Sequence, residues 1–293
     1  MYRIPLGSLS TQRNLVLLLL LLLTVAAWAV LMAQGEGADP GMAMASPTMG
    51  LRAPMFLAIW VIMMVAMMFP TAAPMILTFH QVQSGKRRRG AAFVSTWLFV
   101  AAYMLVWTLA GIVAYAGAVA AEAVAVEAAL SAATAARIGG ALLIAAGLYQ
   151  MTPLKNLCVS KCRSPIGFIM TSWREGAIGA LRMGLAHGFY CLGCCWLLFV
   201  ILFPIGIMNI AAMAAVTLVI FAEKSAAAGR IAVYATGAAL VGYGALVIAV
   251  PQALPTFAAS GAEMEMPAGA MPMSMPGAAS GTASGAASTP VGR

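Results

Sequence analysis

The chain has 293 residues, 63% of them hydrophobic and only 8% charged. A water-soluble domain carries about a quarter charged residues, so this composition excludes one and calls for a bilayer. The net charge of +8 does not signal nucleic acid, because the basic residues sit in short segments between apolar runs, as membrane topology demands.

No alternating segments of barrel type are present, so the spans should be helical. The pattern predicts an all-α, polytopic transmembrane helix bundle of seven spans, near 15–33, 53–79, 91–119, 132–151, 185–203, 206–222 and 231–250. Each run reaches or approaches the roughly 20 residues that cross a bilayer. The first is a special case. Arg3 and Arg13 precede a leucine run, and "AWA" at Ala27–Ala29 fits a signal-peptidase site. Cleavage there would leave six spans. The apolar run continues through Leu31 and Met32, which favours an uncleaved anchor. The fifth and sixth spans should reverse in "LFPIGIMN", where Pro204 and Gly206 break a helix, or at Met208–Asn209. The resulting organisation is an anchor (1–33), a Met-rich loop (34–52), a membrane bundle (53–250) with a Cys-containing loop at 152–176, and a Met/Pro/Ala/Gly-rich tail (251–293).

Charge sets the expected orientation. With the N-terminus inside, the inner segments hold Arg3, Arg13, Lys86, Arg87, Arg88, Arg89, Lys155, Lys161, Arg163, Arg174, Arg182, Lys224 and Arg230. That is thirteen of sixteen basic residues, leaving Arg52, Arg137 and Arg293 outside. The C-terminus is then outside. All five cysteines fall in the inner loop or within the spans, which fits reduced thiols rather than a disulfide framework.

Methionine collects on the outer side, as Met42, Met44 and Met49 in the first loop and Met264, Met266, Met271, Met273 and Met275 in the tail. Thioethers are soft ligands that suit Cu(I). Compositional drift in a low-complexity segment explains them equally well. Span two, "WVIMMVAMMFPTAAPM", carries a ladder that includes Met64, Met67 and Met68, with Met75 near Pro70 and Pro74. A thioether ladder at a proline kink offers a path for a soft cation. Gap-filling or lipid-facing methionine is the plainer use of these residues. His80, at the inner edge of this span, reads as an interfacial residue.

The densest chemistry lies in "HGFYCLGCCW". His187, Cys191, Cys194 and Cys195 are spaced i, i+4, i+7 and i+8. On a helix they share roughly 100° of arc, and Met183 extends the stripe one turn earlier. Gly188 and Gly193 allow another helix to approach. One imidazole and several thiols on one face suit a soft-metal site, with Cu(I) favoured and Zn(II) also accommodated. Buried cysteine as a small hydrophobe accounts for one or two of these residues, and poorly for three plus a histidine. The inner loop "TPLKNLCVSKCRSP" adds Cys158 and Cys162, one helical turn apart. Lys155, Lys161 and Arg163 should lower their pKa values and suit them to metal handover. A membrane-hugging basic loop with incidental thiols explains them equally well.

The segments "FLAIWVIMMVAMMFPTAAPM", "GLYQMTPLKNLCVSKCRSP", "GLAHGFYCLGCCWLLF", "GIMNIAAM" and the pair Glu223–Lys224 resemble a bacterial uncharacterised family described as predicted metal-binding integral membrane proteins. The resemblance covers about 56–224 and implies metal binding without naming the ion. It adds Gln150, Lys155 and Asn209 as residues of interest. The expected location is the bacterial inner membrane. The expected function is therefore Cu(I) transport or delivery, with a metallochaperone or a cuproenzyme under assembly as partner. No nucleotide-binding motif is evident, and no enzymatic activity is expected. Two rival functions stand beside it. A membrane thiol-disulfide oxidoreductase would use Cys191 and Cys194 as a C-x-x-C pair. A non-catalytic scaffold subunit would tolerate loss of every cysteine.

Overall fold

A computed structural model of the chain describes residues 7–37, 47–48, 50–225 and 229–255. The outer methionines Met42, Met44, Met49, Met264, Met266, Met271, Met273 and Met275 lie outside the described residues, as do Arg3 and Arg293. The described residues form helices and no strand: α1 (Gly7–Gly37), α2 (Ala53–Arg88), α3 (Thr96–Glu127), α4 (Ala132–Gln150), α5 (Pro153–Arg163), α6 (Pro165–Ser172), α7 (Gly176–Val200), α8 (Leu202–Ile205), α9 (Ile210–Ser225) and α10 (Gly229–Ala249), followed by a 3₁₀ turn at Pro251–Ala253. Six of them, α1 to α4, α7 and α10, are long and apolar enough to cross a membrane. The protein is an all-α polytopic bundle.

Two expectations change. The predicted span at 206–222 is the 16-residue α9, whose last turn carries Lys224. It is shorter than the roughly 20 residues that cross a bilayer. The 152–176 loop is instead two short helices. Both start with a hydroxyl cap and a proline, a pairing that suits a helix N-terminus. Thr152 Oγ1 accepts the Lys155 N–H at 3.3 Å ahead of Pro153, and Ser164 Oγ accepts the Gly167 N–H at 3.3 Å ahead of Pro165. The reversal after α8 falls at Gly206, whose φ of 109° favours a residue without a Cβ.

Small residues set the helix spacings. The most extensive packing is α10 on α4. A Cβ at Gly147 would stand 2.6 Å from the Gly237 carbonyl oxygen, and one at Gly140 2.9 Å from that of Gly244. On α7, a Cβ at Gly188 would meet Val106 of α3 at 2.8 Å, and one at Gly193 would meet Cys158 Sγ of α5 at 2.9 Å. The two glycines predicted to admit neighbours therefore admit different ones, α3 on one side and α5 on the other. Indole N–H groups lock the layers further. Trp28 Nε1 donates to the Ala66 carbonyl at 3.1 Å, and Trp60 Nε1 donates to the Trp107 carbonyl at 2.9 Å.

Candidate metal centre

The α7 stripe faces inward. Met183, His187, Cys191, Cys194 and Cys195 are all buried, and all five cysteines are free thiols. Cys194 and Cys195 sulfurs lie 3.8 Å apart, and each thiol donates back to the Cys191 carbonyl, at 3.1 and 2.7 Å. This is the i to i−3 or i−4 bonding that a short polar side chain makes in an apolar helix. The Cys191 thiol points elsewhere. Its sulfur lies 3.1 Å from Tyr103 Oη of α3 and 3.1 Å from Lys224 Nζ of α9. Cys162, from α5, comes within hydrogen-bonding reach of Cys191 and Cys194. Cys162 thus neighbours the α7 thiols pairwise, from a second helix.

His187 is placed differently from the thiols. Its ring stacks on Phe99 and Tyr103, at centroid distances of 5.9 and 5.5 Å, and meets Phe168 edge-on at 5.6 Å. Its Nδ1 is buried without a hydrogen-bond partner. A buried imidazole nitrogen left bare is costly unless it serves a ligand or a proton. Among the described residues, no three His, Cys, Asp or Glu side chains converge on a point where they can hold a metal ion. The arrangement instead offers thiol pairs, of which Cys194 and Cys195 are the closest. Two thiolates spanning a metal sit at about twice a metal–thiolate bond of roughly 2.3 Å, so this pair is less than about 1 Å short of that separation.

The span-two methionines are packed inside the bundle. Met63, Met64, Met67, Met68 and Met75 are all essentially solvent-free and face the interior rather than lipid. Near the N-terminal end of α2, Met63 and Met208 share a small recess with Trp60 and Phe56. At the other end of the ladder, Met68 Sδ lies 4.0 Å from Thr71 Oγ1, and Thr71 Oγ1 accepts from Lys224 Nζ at 3.4 Å. Methionine ladder and thiol cluster therefore meet through Thr71 and Lys224. His80 takes no part. Its Nδ1 is 3.0 Å from Thr96 Oγ1 and its Nε2 is 3.2 Å from Ser84 Oγ, so both ring nitrogens are satisfied locally.

The expected lowering of the loop cysteine pKa values is overturned. Burial pushes the Cys158 thiol up, and the neighbouring thiols of Cys191 and Cys194 push Cys162 up. Two of the cations expected to act on them, Lys155 and Arg163, are engaged elsewhere. Lys155 is fully buried, with Nζ 2.7 Å from Glu223 Oε2 and a second bond to Gln150 Oε1. Arg163 Nε donates to the Glu223 carbonyl at 2.5 Å. Gln150 Nε2 closes the ring by donating to Glu223 Oε1 at 2.8 Å. Lys155 and Lys224, assigned by sequence to inner loops, are both core residues. The local reason is the short α9, which carries Glu223 and Lys224 into the bundle on adjacent positions that face different partners.

Tyr103, Thr71 and Lys224 were not among the residues expected to form the site. Only the Glu223–Lys224 pair carried a signal, as an acid and a base at the end of an apolar run. Tyr103 and Thr71 carried none, since one tyrosine or threonine in a span is ordinary.

A helix bundle that gathers soft sulfur donors in its dry interior defines a polytopic membrane protein of the metal-handling class. Residues 57–247 match the PpoB2 family, described as a copper chaperone, and the chain belongs to that family. This agrees with the predicted metal-binding membrane family suggested by the motifs. No curated protein and no solved structure matches the chain.

Proposed function

We propose that this protein is a Cu(I) carrier of the bacterial inner membrane that delivers its cargo to a metallochaperone or to a cuproenzyme under assembly, and that it is not an enzyme. The observation that carries this reading is the Cys194–Cys195 pair, two buried thiols 3.8 Å apart in a chain of the copper chaperone family. Thiolates and thioethers are the donors that select Cu(I), which accepts two ligands in line. Zn(II) takes four ligands in structural sites and three in catalytic ones, and no three converge among the described residues. Copper would enter among Met63, Met64, Met67 and Met68 and pass Thr71 to the thiols of α7. Cys162, which touches the cluster, and Cys158, which lies against Gly193 on the side of α5, would receive it for handover.

The test is elemental mass spectrometry of the reduced protein, purified anaerobically in detergent and loaded with Cu(I). A triple variant with Cys191, Cys194 and Cys195 all replaced by Ser runs in parallel. Near-stoichiometric copper in the parent and none in the variant supports the carrier. Equal trace copper in both sinks it, and a redox-active disulfide in the parent would then point to the oxidoreductase.

A further inference from the structure

Lys224 is an unusual neighbour for a thiol cluster. It is buried, and burying a lone ammonium is costly unless a counter-charge meets it. Its Nζ touches two side chains, Cys191 Sγ at 3.1 Å and Thr71 Oγ1 at 3.4 Å. Neither is a carboxylate. The ion pairs among the described residues are Lys86–Glu175 and Lys155–Glu223, and Lys224 belongs to neither. The adjacent Glu223 is committed to Lys155 and Gln150. The bundle thus sets an amine against the cysteines, with a neutral hydroxyl on its other side, so the counter-charge within its reach is a thiolate of the site.

We propose that Lys224 sets the charge of the cargo, making the thiol site select a singly charged soft metal ion over a doubly charged one. This inference rests on the reading that the α7 thiols hold metal. Two thiolates and one monovalent ion sum to a single negative charge, which the Lys224 ammonium cancels. Two thiolates and a divalent ion are already neutral, and they leave the ammonium uncompensated in a dry interior. A third thiolate would restore the balance for a divalent ion, but no three ligands converge among the described residues. Softness alone separates Cu(I) from hard cations, whereas it separates monovalent from divalent soft ions poorly. A fixed cation adds the discrimination that softness lacks. Lys224 does this as a positioning residue, without ligating the metal.

The experiment compares two soft probes of different charge, Ag(I) and Cd(II), on the reduced protein in detergent. Affinities come from competition with a chromophoric chelator, for the parent and for Lys224→Met, Lys224→Gln and Lys224→Arg. Size-exclusion chromatography and circular dichroism check the fold, and Lys224→Gln serves where Lys224→Met fails to fold. The expected result is an Ag(I) affinity at least tenfold weaker in the Met and Gln variants, with Cd(II) binding unchanged or tighter, and the parental preference kept in the Arg variant. Equal losses for both ions in the Met and Gln variants would show a merely structural role and overturn the proposal. Loss of the preference in a folded Arg variant would do the same. A parent that binds neither Ag(I) nor Cu(I) would overturn the carrier reading itself, an outcome distinct from the other two.

Discussion

Lys155 Nζ and Glu223 Oε2 lie 2.7 Å apart, with side chains 1% and 2% exposed, although 68 residues separate them in the chain. The pair ties α5 to the end of α9 and so fixes both Cys162 and Lys224 against α7. Breaking one partner of a buried pair leaves an uncompensated charge, at a cost of about 3–5 kcal/mol. Glu223→Gln should therefore lower the thermal unfolding midpoint in detergent markedly. The double variant Lys155→Met, Glu223→Leu should recover most of the loss. A single variant as stable as the parent would show that the pair does not hold the two helices.

The methionine ladder is open to a conservative substitution. Met68→Leu keeps volume and apolarity, which limits the stability cost to under about 1.5 kcal/mol. It removes the thioether beside Thr71. Equilibrium Ag(I) stoichiometry should stay at the parental value while the rate of loading falls. Stopped-flow measurements on the two proteins check this, and identical loading rates would remove Met68 from the path.

Cys158 should be the slow, pH-driven thiol of α5. It is half-buried, and burial holds its pKa above the ordinary thiol value of about 8.5. The thiolate is the reactive form, so a raised pKa makes alkylation slow at neutral pH and still accelerating above about pH 9. Iodoacetamide labelling followed by peptide mass spectrometry reads this directly. A rate that levels off near neutrality would mean that a cation lowers this thiol after all.

Gly147 of α4 faces the Gly237 carbonyl of α10 at a distance that leaves no room for a methyl group. Gly147→Ala should force the pair apart and cost about 1–3 kcal/mol by overpacking. Gly117, where a Cβ would meet nothing within 4 Å, provides the control. Gly117→Ala should leave the unfolding midpoint at or slightly above the parental value.

The bundle is legible in the sequence because burial in lipid imposes long apolar runs, and six of these appear as helices able to cross. The α7 stripe is legible for a related reason, since one face of a helix repeats every 3.6 residues and His187, Cys191, Cys194 and Cys195 obey that spacing. The misplaced residues share a cause. Lys155 and Lys224 have the composition of loop charges, and hydropathy assigns a lysine at the end of an apolar run to water. Only tertiary pairing shows that one meets Glu223 and the other meets Cys191. Likewise, nothing in its own helix reveals that Tyr103 would reach a thiol 88 positions away.

The α4–α10 seam joins the glycines Gly140 and Gly147 to Gly244 and Gly237, so helices nearly a hundred residues apart in the chain close on each other. Synthesis proceeds from the N-terminus, and α4 is made long before its partner exists. Through that interval its glycine face meets lipid or translocation machinery. The thiols of α7 likewise wait for Lys224, and Lys155 waits for Glu223. A chain that stops before α10 therefore leaves the membrane with an open seam and a newly paired, weakly supported centre. Completion of the last helix is the step that closes this seam beside the pairs already formed.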